Sequence, residues 1–187
     1  MPPKVKVTKQ DIIQTATNLV RTEGENAINA RSIAKALDCS TQPIFSNFAS
    51  MDELRVAILA ETQAIVENYI ARETASGLYP PYKASGMAYI RFAKEEKELF
   101  KLLYMRTRKD DDYNKDTELF DQMTELVEES TGLAKENTTL FHLEMWAYVH
   151  GIATMFATGF LSLDWEIVSK TITDVYQGLK KQYGIED

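Results

Sequence analysis

The chain has 187 residues, a formal net charge of −7, eight glycines, five prolines and a single cysteine. This length suits one small domain joined to a larger one, or a single helical body, and no strand-like alternation persists along the sequence. The net charge argues against non-specific nucleic-acid binding through bulk charge, and the lone Cys39 excludes an intrachain disulfide and fits a reducing cytoplasm.

The first predicted helix follows a basic segment, MPPKVKVTKQ, which has no apolar stretch behind it and is therefore no secretory signal. Thr8 is placed to cap this helix, and Gly24 is placed to end it. Its buried stripe is predicted to consist of Ile12, Ala16, Leu19 and Val20.

Residues 30–54 predict two short helices separated by a tight turn, followed by a third. Ile33, Ala34 and Leu37 form the buried stripe of the first, and Asp38 is expected to adopt the left-handed conformation at its end. Ser40 is expected to cap the second helix on the amide of Gln42, since Pro43 has no N–H to satisfy.

In the second short helix, Ile44 and Phe48 point to the core. The outer face then carries uncharged side chains that donate and accept hydrogen bonds, as base edges in a major groove require, namely Thr41, Gln42, Ser46 and Asn47. Ser50 and Glu53 fit a capping box, so a further helix should begin at Met51 with amides free to meet a phosphate.

This segment, with the helix before it, resembles the DNA-binding domain of the TetR family of bacterial repressors (AcrR-like) over roughly residues 8–55. The W-x-x-x-H-G arrangement at Trp146, His150 and Gly151 is similar to the ligand-binding part of one group of these regulators. The resemblance implies an all-α protein of about nine helices, with a helix-turn-helix DNA-binding domain in residues 1–50 and a helical effector-binding and dimerisation domain in residues 51–187. DNA contacts are expected at Lys4, Lys6, Thr8, Arg31, Ser32, Ser40, Thr41, Gln42, Pro43, Phe45, Ser46, Asn47 and Met51.

Two positions depart from the family pattern. Phe45 stands where the family usually has a tyrosine whose hydroxyl reaches a phosphate, and Met51 replaces a lysine that commonly contacts phosphate. Binding is therefore expected to rely on other cations, namely Lys4, Lys6, Lys9, Arg31 and Arg55. Residues 1–50 carry six Lys and Arg against four Asp and Glu, a net charge of +2, whereas residues 51–187 carry fifteen against twenty-four, a net charge of −9. This asymmetry should direct the N-terminal part toward DNA.

The C-terminal part is predicted to begin with a long helix from Met51 to about Ala75, buried along Leu54, Ile58, Ile65 and Tyr69. Two helices follow and meet near residues 94–96, and the segment KDDDYNK is expected to be a charged loop. A further helix should end at Gly132.

Residues 146–163 contain no Asp, Glu, Lys or Arg, a length at which a membrane span must be considered. His150, threonines and glycines dilute this stretch, so it is interpreted as a helix buried on nearly every side. The last helix, from Asp164, has apolar residues at alternating spacings of three and four. By resemblance, the last two helices pair with their copies in a homodimer, through Phe156, Phe160, Trp165, Ile172, Val175 and Leu179.

Aromatic and methionine side chains suit a site for a small apolar or aromatic effector, although a helical bundle needs such residues in its core anyway. The candidate pocket consists of Phe100, Tyr104, Phe120, Met123, Trp146, His150 and Met155. His142 and His150, eight residues apart, find no further ligand in register, so no metal site and no cofactor are predicted. No catalytic motif or paired carboxylates appear, and an enzyme is not expected.

The sequence therefore predicts a cytoplasmic, dimeric, ligand-responsive transcriptional regulator, usually a repressor in proteins of this kind, with a near-palindromic operator. One alternative is a ligand-independent DNA-binding protein whose C-terminal part recruits a protein partner. A second is a ligand-binding protein or enzyme that has lost DNA recognition, which Phe45 and Met51 favour slightly.

Overall fold

The computed structural model describes residues 7–107 and 113–185, and of residues 113–119 the backbone alone. This part of the chain is all-α, as predicted, with nine α-helices, one short 3-10 helix (Glu25–Ala27) and no strand. The α-helices are α1 (Lys9–Glu23), α2 (Ala30–Ala36), α3 (Gln42–Asn47), α4 (Met51–Ala75), α5 (Pro81–Glu95), α6 (Lys97–Tyr104), α7 (Tyr113–Thr131), α8 (Lys135–Thr158) and α9 (Trp165–Gln182).

Two compact units divide the described residues. The head unit comprises residues 7–67 and 96–106, and the body unit comprises residues 68–95, 107 and 113–185. The long helix α4 supplies residues to both units, and α6 belongs to the head unit, where it packs on α1. The predicted domain boundary at residue 50 stays a prediction.

Short-range chemistry fixes the helix ends of the head unit. The hydroxyl of Thr8 accepts the amide of Asp11 at 3.1 Å, and the Asp11 carboxylate accepts the amide of Thr8 at 2.9 Å, which completes a capping box. The Thr8 hydroxyl also donates to the Asp11 carboxylate at 2.7 Å, and this bond first, and the bond from the Thr8 amide second, lower the pKa of Asp11. Gly24 ends α1 with φ +81°, and Asp38, which follows the C-cap residue Leu37 of α2, adopts φ +50°. Both reversals confirm the sequence predictions.

The start of α4 departs slightly from the predicted capping box. Ser50 Oγ accepts the amide of Glu53 at 3.1 Å, as expected, but the Glu53 carboxylate accepts the amide of Ala49 at 2.7 Å rather than that of Ser50. Along the helix, Leu54 and Ile58 are fully buried and Tyr69 is buried, but Val66 rather than Ile65 continues the stripe.

In the body unit, α5 and α8 pack along each other, and α7 and α9 pack against both. Two predictions for this unit are wrong. Helix α7 begins at Tyr113, so residues 113–115 of the predicted charged loop are helical, and residues 109–112 lie outside the described residues. The helix predicted in residues 146–163 begins earlier and ends earlier: α8 covers Lys135–Thr158, and Gly159 then turns left-handed with φ +70°.

Helix α8 is not buried on nearly every side, as its composition had suggested. Phe141, Met145 and Ala153 lie in the core, but Trp146 is 41% exposed and Met155 is 36% exposed. Seven of its first eleven residues are polar or charged, and its buried residues recur at spacings of three and four, so the helix buries one side along its length. In the described part of the chain, no helix has the length and apolar character needed to span a bilayer.

Candidate nucleic-acid interface

Helix α3 is the predicted reading element, and its buried side agrees with the sequence pattern. Ile44 is fully buried, Phe48 is 2% exposed, and Pro43 lies in the first turn, where its missing N–H leaves no bond unmade. The prediction that Ser40 caps α3 is wrong. The helix begins at Gln42, so Thr41 is the N-cap residue; Thr41 has helical backbone angles and makes no side-chain cap bond. Ser40 is exposed before this turn.

The outer face of α3 carries the predicted polar set. Gln42 and Ser46 are exposed, and Thr41 and Asn47 are half-buried. The Ser46 hydroxyl donates to the Gln42 carbonyl at 2.9 Å, and the Asn47 amide nitrogen donates to the Pro43 carbonyl at 2.8 Å. These bonds hold both side chains against the helix. The Asn47 amide nitrogen carries a second hydrogen, and its oxygen and the Ser46 oxygen retain acceptor capacity.

Phe45 projects from the same helix with 55% of its surface exposed. Exposure of a large aromatic ring next to a polar reading face suits contact with a sugar or a base methyl group, but the ring offers no hydroxyl for a phosphate. Met51, at the start of α4, is half-buried. In α2, Arg31 is exposed, and the half-buried Ser32 accepts the side-chain amide of Asn29 at 2.9 Å.

The cations expected to meet phosphates differ in their present partners. Arg55 pairs with Glu25, with 2.7 Å between Nη1 and Oε1, and Lys9 pairs with Glu53 at 3.0 Å. The Lys9 ammonium also lies 4.6 Å from the centre of the Phe48 ring. Lys4 and Lys6 lie outside the described residues. Sequence reasoning missed both carboxylate partners, because each pair joins residues at least 30 positions apart.

The candidate pocket residues divide between the two units. Phe100 is fully buried in the head unit, with its ring centre 5.2 Å from that of Tyr104. In the body unit, Trp146 stacks on His150, with 5.0 Å between ring centres and 22° between planes. The remaining candidates are also in the body unit: Phe120 and Met123 on α7 are half-buried, and Met155 on α8 is partly exposed.

Two tyrosine–histidine pairs join α5 to α8 inside the body unit. Tyr82 Oη lies 2.9 Å from His142 Nδ1, and Tyr89 Oη lies 2.9 Å from His150 Nδ1. Phe120 packs edge-on against His142 with 4.7 Å between ring centres. Burial lowers the pKa of His142 to about 4 and raises the pKa of Tyr82, so both groups are neutral at pH 7.

The sequence analysis did not place the two tyrosines in the site. A signal was present, because the tyrosines are seven residues apart on α5 and the histidines are eight apart on α8, about two helical turns in each case. The described residues contain no group of three or more His, Cys, Asp or Glu that could hold a metal ion.

The predicted dimer residues have different exposures in the single chain. Phe156 and Ile172 are buried within the body unit, Trp165, Val175 and Leu179 are half-buried, and Phe160 is 81% exposed. Other large apolar side chains on α8, on α9 and in the segment between them are also exposed and were not predicted for this surface: Leu140, Leu143, Trp146, Met155, Leu161 and Ile167.

Comparison with known proteins agrees with this layout. Residues 82–173 match the tetracyclin repressor-like, C-terminal domain family. The whole chain is similar to the structure of a TetR-like transcriptional regulator from Rhodococcus sp. RHA1, at 16% identity over 98% of this chain and 99% of that chain, with a TM-score of 0.71. A TetR family member from Streptomyces coelicolor A3 gives 19% identity, coverage of 88% and 95%, and a TM-score of 0.67.

A third similar structure is that of the multidrug binding protein EbrR complexed with imidazole, at 18% identity over 88% of this chain and 92% of that chain, with a TM-score of 0.63. No curated protein sequence matches the chain. At these identities the structural likeness shows the fold. The family match is a separate finding and concerns the C-terminal part of the sequence, residues 82–173.

Proposed function

Because this chain belongs to the TetR family of transcriptional regulators, we propose that it is a ligand-responsive repressor. In this proposal a homodimer binds a near-palindromic operator, and a small apolar or aromatic effector releases it. The observation that carries the proposal is α3, a short helix with a fully buried inner side and an outer side of uncharged hydrogen-bonding groups.

Gln42 and Asn47 are the residues that we assign to base reading. A side-chain amide can bond bidentately to the edge of an adenine, and no other residue of α3 carries that group. Asn47 is already held by its bond to the Pro43 carbonyl, which limits the entropy lost when it meets a base. Phe45, Arg31 and the first turn of α4 would then lie near the sugar-phosphate backbone.

Dimerisation is supported by the exposed apolar residues of α8. Leu140, Leu143 and Ala147 follow one another at spacings of three and four, so they share one exposed face of the helix. Large apolar groups grouped in this way usually mark an interaction site rather than solvent-facing surface. A dimer also explains how two reading helices enter successive major grooves about 34 Å apart.

The effector proposal draws on the body unit. The two tyrosine–histidine pairs and the stacked Trp146 combine polar groups with aromatic walls, which suits a neutral aromatic molecule with one or two hydrogen-bonding atoms. A protein of the same fold binds multiple drugs and was solved with imidazole, a small aromatic molecule of that type. We assign no catalytic step to these residues.

Release of the operator is proposed to be a population shift. The effector would favour a state in which α4 holds the reading helices away from the spacing that fits DNA. To change operator affinity a hundredfold, it must prefer that state by about 2.7 kcal/mol. The same coupling requires that operator DNA weaken effector binding by an equal factor.

The test of base reading compares Gln42→Ala and Asn47→Ala with Gln14→Ala and Asn18→Ala, which remove the same groups from exposed positions of α1. Operators selected from a random DNA pool are then measured with single base-pair changes. We expect each α3 variant to lose about 1–3 kcal/mol of discrimination at one base pair per half-site, while the α1 variants keep the wild-type preferences. An equal loss on all sequences would make Gln42 and Asn47 backbone contacts.

Two other functions remain as outcomes of this experiment. A chain that selects an operator but responds to no compound in a thermal-shift screen would be a ligand-independent DNA-binding protein whose body recruits a partner. A chain that selects no DNA but binds compounds would be a binding protein that has lost DNA recognition. The exposed Phe45, with no hydroxyl, is the observation that favours the latter.

A further inference from the structure

The head unit holds two of its predicted phosphate-contacting cations in ion pairs with its own carboxylates. Arg55 Nη1 lies 2.7 Å from Glu25 Oε1, and Lys9 Nζ lies 3.0 Å from Glu53 Oε1. Among the described residues, the cations assigned to phosphate contact are Lys9, Arg31 and Arg55, so two of the three have a carboxylate partner. We propose that Glu25 and Glu53 lower operator affinity by competing with DNA phosphates for Arg55 and Lys9.

This inference rests on the proposed DNA-binding function, and its physical basis is the exposure of both pairs. The side chains of Arg55 and Glu25 are 38% and 47% exposed, and those of Lys9 and Glu53 are 52% and 43% exposed. Ion pairs in such positions contribute little to folding stability, so each cation can exchange its carboxylate for a phosphate. The displaced carboxylate nevertheless stays beside the incoming phosphate, and the repulsion between the two anions weakens the complex.

The Glu53 carboxylate also accepts a backbone hydrogen bond, which holds it at the start of α4. Its Oε2 atom accepts the amide of Ala49 at 2.7 Å, immediately before α4. That amide first, and the Lys9 ammonium second, lower the pKa of Glu53, so the group stays charged at neutral pH. A carboxylate therefore lies at the start of a helix where the resemblance places a phosphate, and where Met51 supplies no positive charge.

Glu25 offers the cleaner test, because its carboxylate makes no cap bond to a helix start. Glu25→Gln removes one negative charge and releases Arg55 while keeping the size of the side chain. The matched control is Glu96→Gln. Glu96 pairs with Arg21 in the same unit, also at 2.7 Å, and Arg21 is not among the predicted DNA contacts. Both variants change the net charge equally, so a difference between them reports the local competition.

Affinity is measured by fluorescence anisotropy between 50 and 300 mM salt, on the duplex that the wild type enriches and on a random-sequence duplex. We expect Glu25→Gln to bind the enriched duplex about five- to tenfold more tightly at about 100 mM salt, and to steepen the slope of log K against log salt by about 0.9. Glu96→Gln should change affinity by less than about twofold and leave the slope unaltered. The variant Glu53→Gln, which keeps an acceptor for the Ala49 amide, should change in the same direction as Glu25→Gln.

A double-variant cycle identifies the released cation. Arg55→Met added to Glu25→Gln should return the slope to the wild-type value. In the wild-type background, Arg55→Met should change the slope by less than it does in the Glu25→Gln background. Equal behaviour of Glu25→Gln and Glu96→Gln, or a gain that survives loss of Arg55, would overturn the inference. If the wild type enriches no duplex, the proposed function fails. The competition would still be supported by a gain of Glu25→Gln over Glu96→Gln on the random duplex, and it would fail without one.

Discussion

Acid should destabilise the body unit through His142, and the variant His142→Asn measures by how much. His142 is 6% exposed, is enclosed by Tyr82 and Phe120, and has its pKa lowered by burial from 6.5 to about 4. Between these two values the unfolded chain binds a proton that the folded chain does not. The free energy of unfolding therefore falls as the pH falls from 6.5 toward 4, and this contribution is complete below pH 4.

The size of the effect follows from the shift. One pKa unit corresponds to about 1.4 kcal/mol, so a shift from 6.5 to about 4 sets an upper bound of about 3.5 kcal/mol, and we expect about 2 kcal/mol between pH 7 and pH 4.5. Asparagine keeps an acceptor near the position of Nδ1 for the Tyr82 hydroxyl but does not titrate. Its packing cost is the same at every pH and cancels from the comparison.

The assay is urea unfolding of wild type and His142→Asn at pH 7, 6, 5 and 4.5, followed by circular dichroism. The same chain concentration must be used throughout, because a dimer would make the apparent stability depend on concentration. Carboxylates also titrate over this pH range, but they do so in both proteins, so the quantity to compare is the difference between the two free energies of unfolding at each pH. A wild-type advantage that shrinks by about 2 kcal/mol toward pH 4.5 supports the reasoning, and a difference that stays constant within about 0.5 kcal/mol refutes it.

Three further variants test other parts of the account. Arg91→Met removes the guanidinium that lies 3.0 Å from the buried Glu73 carboxylate, and it should cost about 2–3 kcal/mol in urea unfolding; Glu73→Gln added to it should recover part of that loss, and no recovery would contradict the assignment. Gly86→Ala should raise the free energy of unfolding by about 0.5–1 kcal/mol, because alanine favours a helix and the new Cβ would lie 3.5 Å from Val149, an ordinary contact. A loss of stability would show that α5 and α8 leave no room for a methyl group at this position. Met51→Lys should steepen the salt dependence of operator binding by about one unit of slope, and an unchanged slope would place this residue away from the phosphates.

The features that the sequence predicted well are those set by neighbours a few residues away. Thr8 and Asp11 are three apart, and Gly24 and Asp38 supply the left-handed conformations that end α1 and α2. The cap of α3 was misassigned because the helix begins at Gln42, so the N-cap position falls on Thr41 and not on Ser40. Serine at such a place favours a cap but does not fix which residue takes it.

The contacts that define the sites are long-range and were beyond pattern reasoning. Tyr89 and His150 are 61 residues apart, and Arg55 and Glu25 are 30 apart, so the sequence shows the spacing of residues within one helix but not which residue of another helix each one meets. The start of α8 was missed for a related reason. Its first turns mix charged residues and threonines, and only the buried positions Thr138, Phe141 and Met145 show the helical spacing.

The most direct test of the central claim is selection of bound sequences from a random double-stranded DNA pool with the full-length chain at moderate salt. The account predicts a near-palindromic consensus, with two half-sites whose centres lie about one helical turn apart, and loss of its preferred base at one position per half-site in Gln42→Ala. Enrichment of no sequence, or of a single half-site without symmetry, would contradict an operator-binding dimer.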